Sequence, residues 1–151
     1  MSESASELIS QEKTTEAVHI FGYELIREVL LQEILGSDAP EILYWAGKRL
    51  ARKYPMATIE DVFEFFQKAS WGSLSILKES KNEMELELFS PLIKLRYSEN
   101  SQCTFQLEAG FIAQQIELQK EVICEAFEHP NKKKGKVRFT VKWDKKDSIH
   151  S

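Results

Sequence analysis

Two cysteines, Cys103 and Cys124, are all that the 151 residues contain, too few for a disulfide framework and in keeping with a reducing compartment. The first residues agree, since Ser2, Glu3, Ser4, Ala5, Ser6 and Glu7 supply neither the basic start nor the apolar core of a secretion signal. A cytoplasmic location is therefore expected. Long apolar runs are missing too: the nearest candidate for a bilayer span, which takes roughly 20 residues, is broken by Glu24, Arg27, Glu28 and Glu33. No transmembrane segment is expected, and any membrane contact is expected to be peripheral.

Reaction motifs are equally scarce. His19, His129 and His150 lie far apart, outside any His-Glu-x-x-His or Cys-x-x-Cys pattern, so no metal site is expected. There is no Gly-x-Ser-x-Gly elbow and no dinucleotide fingerprint, and Gly72-Ser-Leu-Ser lacks the following helix and lysine that phosphate cradling requires. Nothing in the spacing pairs Cys103 or Cys124 with a histidine, and a free cysteine is more often inert than nucleophilic. The carboxylate pairs Glu60 with Asp61 and Glu125 with Glu128 read as a helix N-terminus and a solvated strand face rather than as acid–base machinery. The expectation is a protein that is not an enzyme, with no cofactor required by its sequence.

What is present is the material of one globular domain. A chain of this length buries roughly two-thirds of its unfolded surface, and 42% hydrophobic, 29% charged and 11% aromatic residues are ordinary for a soluble protein. A net charge of −4 repels nucleic acid at long range, so no nucleic-acid partner is expected. Residues 1–17 are Ser- and Glu-rich and read as a disordered acidic tail, residues 18–146 as the domain, and residues 147–151 as a disordered C-terminus.

Within the domain, Leu25, Ile26, Val29, Leu30 and Ile34 recur at helical spacing up to Gly36. A second helix starts near Ser37 or Asp38, tolerates Pro40 in its first turn and ends before Pro55. Thr58 and Asp61 form a variant capping box for a third helix carrying Ile59, Val62, Phe63, Phe66 and Ala69. After Trp71-Gly72 the period changes to two. Leu74 and Ile76 begin a strand, and Met84, Leu86 and Leu88 alternate with glutamates in its hairpin partner. Ile93, Leu95 and Tyr97 alternate with Lys94 and Arg96 after Pro91, which reads as a short edge strand or a continuation past a bulge. A helix over residues 104–120 precedes a final hairpin whose last strand points Val137, Phe139, Val141 and Trp143 one way. The class is α+β, with three N-terminal helices, a twisted antiparallel sheet of about four strands and one helix inserted before the last hairpin.

Two features are candidates for binding. Ala109, Gly110 and Ala113 give the helix over residues 104–120 a small face, and a mid-helix glycine costs roughly 1 kcal/mol relative to alanine, so something approaches closely. An apolar ligand, a neighbouring helix, or the strand carrying Cys124 and Ala126 would each fit. Separately, Lys132, Lys133, Lys134 and Lys136 make the final hairpin basic, as Lys48, Arg49, Arg52 and Lys53 do the end of the second helix. Together they could bind phosphates or an acidic membrane surface; apart, they complement a helix C-terminus and protect an exposed edge.

Leu107-Glu-Ala-Gly-Phe-Ile-Ala113, Cys124-Glu-Ala-Phe and Val137-Arg-Phe-Thr-Val141 resemble the four-vinyl-reductase domain and its relatives among the transport protein particle (TRAPP) subunits. With Phe21-Gly-Tyr23, Trp71-Gly72 and Ser90-Pro91, the chain looks most like the YslB family of small bacterial proteins, over roughly residues 18–144. The resemblance implies helices stacked on one side of a twisted antiparallel sheet, often a homodimer formed through helices, and binding of apolar ligands, porphyrin-like or acyl, or a role as an assembly subunit. Some four-vinyl-reductase-type members carry paired cysteines on the terminal hairpin; here Cys124 has no partner in the last strand, which puts a metal site and a reductase label in doubt. Three readings follow: a non-catalytic binding or assembly module, an enzyme or sensor acting on a tetrapyrrole or acyl ligand, and a peripheral membrane or acidic-partner adaptor using the basic hairpin.

Overall fold

In the computed structural model, residues 17–148 are described; the expected acidic tail up to residue 16 and the last three residues lie outside them. A continuous helical run, α1, passes through Ile20–Glu24, Leu25–Leu30 and Leu31–Leu35. Gly36, at φ 70°, ends it, a conformation that suits a residue without Cβ. After one 3₁₀ turn come α2 (Ala39–Lys53) and α3 (Ile59–Lys68), the latter capped by the Thr58 hydroxyl accepting from the Asp61 backbone N–H at 3.2 Å. Strands β1 (Ser73–Glu79) and β2 (Glu83–Phe89) are followed by α4 (Pro91–Glu99), α5 (Gln106–Lys120), β3 (Val122–Asn131) and β4 (Lys136–Ser148).

The α+β class and the helix before the last hairpin are as the sequence leads one to expect, but residues 92–97 are not a strand. The Ser90 hydroxyl accepts from the Leu92 backbone N–H at 3.2 Å and Pro91 occupies the first helical turn, where its missing N–H costs nothing. Ile93, Arg96 and Tyr97 are then the buried residues, spaced i, i+3, i+4. A segment whose alternation of Ile93, Leu95 and Tyr97 suggests a strand is thus decided by its cap.

The sheet order is β1-β2-β4-β3, antiparallel throughout. Register places Leu86 opposite Phe139, Leu88 opposite Val137 and Ala126 opposite Val141, so the alternating apolar residues of three strands share one buried face. Helix α5 covers that face and is buried over nine consecutive residues, Glu108 to Ile116. The other face is wet and carries ion pairs between β2 and β4, Lys136 with Glu87 at 3.3 Å and Arg138 with Glu85 at 3.4 Å.

Helix α2 lies against α5 through glycines on both sides. A Cβ on Gly110 would collide with the Tyr44 backbone carbonyl, and one on Gly47 with the Leu107 carbonyl and, at 2.8 Å, the Phe111 nitrogen. Backbones this close exclude any side chain from the seam. α2 and α5 also cover the edge of β3: the Cys124 N–H donates to Glu117 Oε1 and the Ala126 N–H to the Tyr44 hydroxyl, both at 3.0 Å. An edge strand that would otherwise offer free donors is closed by side chains.

α1 is built the other way round. Its middle turn is a π-helix, with the Leu31 N–H bonded to the Ile26 carbonyl five residues back. The wider turn suits a four-residue repeat: Tyr23, Arg27, Leu31 and Leu35 are buried or half-buried, while Phe21, Leu25 and Val29 are exposed, as are Ile26, Leu30 and Ile34. Arg27 is its one buried residue. The apolar residues that mark this helix in the sequence therefore face outward.

The glycine seam gives a direct test. Gly110→Ala is expected to lower stability by about 1–3 kcal/mol or more through backbone overlap, whereas Gly22→Ala, with nothing within 4 Å of the added methyl, should be neutral or gain up to ~1 kcal/mol. Urea unfolding of both variants checks this, and equal effects would contradict the seam.

Candidate functional site

The residues singled out from the small-faced helix are all buried: Ala109 and Ala113 on α5, Cys124 and Ala126 on β3, in one core with Phe111, Phe139 and Val141. Gly110, however, opens onto the backbone of α2 rather than onto free space. Its small size is used for helix packing, and nothing else fits there. The basic hairpin is also partly committed. Lys132 donates to the Ser101 carbonyl at 2.8 Å and lies 5.8 Å from the centre of the Tyr97 ring, and Lys136 pairs with Glu87; Lys133 and Lys134 are exposed.

The polar centre of the molecule lies elsewhere, where α1 meets α4 and α5. Arg27 Nη2 is 2.8 Å from Glu108 Oε1 and 2.6 Å from Oε2, and Arg27 Nε is 3.0 Å from Glu28 Oε2. Arg96, on α4, holds Glu24 with both nitrogens of its fork, Nε at 2.8 Å and Nη2 at 2.6 Å. Glu28 stands 3.8 Å from the same Arg96 and accepts from the Cys103 thiol at 3.4 Å. Both guanidinium carbons lie 5.8 Å from the centre of the Phe105 ring. Glu108 is fully buried and both guanidiniums nearly so, while Glu24 and Glu28 reach the surface in part, so the Arg27–Glu108 pair lies out of water and each of its charges depends on the other.

Burial opposes the charge on Arg27, but Glu108, Tyr23 and Glu28 outweigh it and hold the guanidinium above its usual pKa; for Arg96, burial is likewise outweighed by its hydrogen bonds to Glu24. Both arginines stay charged at every working pH. The Cys103 thiol is pushed up by burial and then by Glu28, and that of Cys124 up to about 12 by burial and then Glu117. Little reactive thiolate forms at either position near neutrality.

None of the five ion partners stood out as a site in the sequence, because 68 or more positions separate Glu24, Arg27 and Glu28 from Arg96 and Glu108 in the chain. The one available signal was Glu108, a lone carboxylate inside the apolar run Leu107 to Ile112. Glu128, which by alternation reads as solvated, is half-buried: it accepts from the Phe105 backbone N–H at 3.0 and 3.1 Å and from the Gln106 amide. It thereby caps the start of α5. Burial raises its pKa, the Gln106 and Phe105 hydrogen bonds pull it down, and the charge of Glu108 adds to the rise.

Beside this cap lies an open cleft of about 590 Å³ between α2 and β3, lined by Glu41, Tyr44, Trp45 and Lys48 on one side and by Gln106 and residues 125–128 on the other. Among the described residues no group of three His, Cys, Asp or Glu side chains is placed to hold a metal ion, and no helix is long and apolar enough to cross a membrane.

Helices packed on one face of a four-stranded antiparallel sheet define a fold shared with a vinyl-4-reductase family protein from Methanocaldococcus jannaschii, at a TM-score of 0.65 and 19% identity over 87% of this chain and 85% of that one. That likeness is one of fold. Residues 20–142 match the family described as a protein of unknown function (DUF2507), and the chain belongs to that family. It is 46% identical over 132 residues, 87% of this chain and 89% of the relative, to the uncharacterized protein YslB of Bacillus subtilis (strain 168).

The ion cluster predicts a specific pattern of variants. Glu108→Gln strands the buried Arg27 charge and is expected to cost about 3–5 kcal/mol, whereas Arg27→Met with Glu108→Leu, which removes both charges, should cost far less. Denaturant unfolding of both variants measures the difference; a double variant that loses as much stability as Glu108→Gln would count against a coupled pair.

Proposed function

We propose that the protein is a non-catalytic binding and assembly module that works as a homodimer, pairing through the outward face of α1. The observation that carries this is the reversed amphipathicity of α1: charges are spent inward on the ion cluster, and Phe21, Leu25, Ile26, Val29, Leu30 and Ile34 are each 44–67% exposed. They present on the order of 600 Å² of apolar surface, as large as the largest patch on an ordinary monomer and most of the ~800 Å² per partner of a standard interface. Glu33 is the one exposed charge among these positions from 21 to 34. Two copies of such a face meet with little charge to desolvate, despite the net charge of −4, which makes a second copy the fitting partner.

The non-catalytic part is supported by the state of the thiols. Both are buried, and burial first, then a neighbouring carboxylate, keeps them protonated. At pH 8 we expect a disulfide reagent to label native protein roughly 100-fold or more slowly than unfolded protein. Rapid labelling of either native cysteine would revive a thiol nucleophile.

The dimer is tested by sedimentation velocity across micromolar concentrations. The unmodified protein is expected to sediment as a dimer and the Ile26→Glu, Val29→Glu variant as a monomer that still unfolds cooperatively, because both positions are exposed, although without the stabilisation that pairing adds. A monomer of the unmodified chain at about 100 μM, a concentration at which even a micromolar Kd gives mostly dimer, would overturn the proposal.

A further inference from the structure

We propose that the cleft between α2 and β3 is a binding site for a small organic cation with an apolar or aromatic body, a property independent of pairing through α1. Three observations carry it. The cleft, about 590 Å³, has the size of a small-molecule site. Its rims are aromatic and uncovered: Trp45 on α2 is 61% exposed and Phe127 on β3 is 48% exposed, although both line the same depression. Its charge is one-sided, with Glu41, Glu125 and Glu128 against the single ammonium of Lys48.

The polar groups divide into those already used and those on offer. Lys48 lies 3.5 Å from Glu125 Oε2 and 5.1 Å from the centre of the Tyr44 ring, so the one cation is held against the wall. Tyr44 is held by the Ala126 N–H, and burial, foremost, raises its hydroxyl pKa to about 12, which keeps it a neutral part of that wall. Glu128 is bound to the first turn of α5. Glu41 is exposed and lies on α2 one turn before Trp45, so a carboxylate and an indole face stand together on one rim.

A cation over an indole or phenyl face gains from the ring quadrupole, most when partly desolvated, and the surplus of carboxylates adds Coulomb attraction. The same surplus repels phosphates and fatty or other carboxylic acids. An amine, guanidinium or quaternary ammonium is therefore the ligand chemistry, whether supplied by a free metabolite or by the basic side chain of a peptide.

The test uses the full chain and phenyltrimethylammonium as probe, with benzyl alcohol and benzoate as the neutral and anionic comparisons. Trp71 and Trp143 are buried, so solvent-sensitive changes in tryptophan emission report on Trp45, and amide shifts at Ala126 and Phe127 place the probe. Expected are saturable binding with a Kd on the order of 1 mM or tighter, weakening with salt, and at least about fivefold loss in Glu41→Gln and in Trp45→Leu, both exposed positions that should leave folding intact. An arginine-containing tripeptide run in parallel assigns the source: tighter binding of the peptide indicates a basic side chain, tighter binding of the probe a free cation. Benzoate binding as tightly as the cation, or no saturable shift at Ala126 and Phe127, would overturn the proposal.

Discussion

The contact between Arg27 and Glu108 is the constraint on which the attachment of α1 depends. A carboxylate with no solvent exposure in the first turn of the main core helix is tolerable only with a fixed cation beside it, and that cation comes from α1. Arg27, Glu24 and Glu28 all lie within two turns, so the pairing with Glu108 and Arg96 sets both the position and the rotation of the helix. Ion pairs of this kind contribute little net stability after desolvation, but they tolerate few alternative arrangements. Here the arrangement they select turns an apolar helix face to the outside.

A second constraint, the pair of glycines Gly47 and Gly110, fixes α2 on α5 at backbone contact. Because α2 is brought so near, the Tyr44 hydroxyl reaches the Ala126 N–H and the edge of β3 is closed. The same approach leaves the cleft between α2 and β3, rimmed by Trp45 and Phe127. The space beside Gly110 is thus occupied by the backbone of α2.

Much of the fold was legible because it rests on local rules. The glutamate alternation of β2, the apolar alternation of β4, the Thr58 cap and the Gly36 stop each depend on a few adjacent residues and appear where patterning puts them. Residues 92–97 were misleading for a related reason. Ile93, Leu95 and Tyr97 fit a strand, yet Ser90 and Pro91 start a helix whose buried set is Ile93, Arg96 and Tyr97, an arrangement that includes a charge no periodicity rule would place inside. Of the candidate residues, Gly110 was correctly marked as a point of close approach, but patterning could not say whether a ligand or a helix made it.

By itself the sequence determined the class of protein, the order of most elements and which face of each strand is apolar, since these follow from side-chain period, caps and breakers within a few residues. Only the tertiary structure decided that the apolar face of α1 points outward, that Glu108 is neutralised by Arg27, that Glu128 caps α5 and that α2 fills the space at Gly110. Each of these depends on a partner between 22 and 81 positions away along the chain, and desolvation energies that hinge on such partners leave no mark in local pattern.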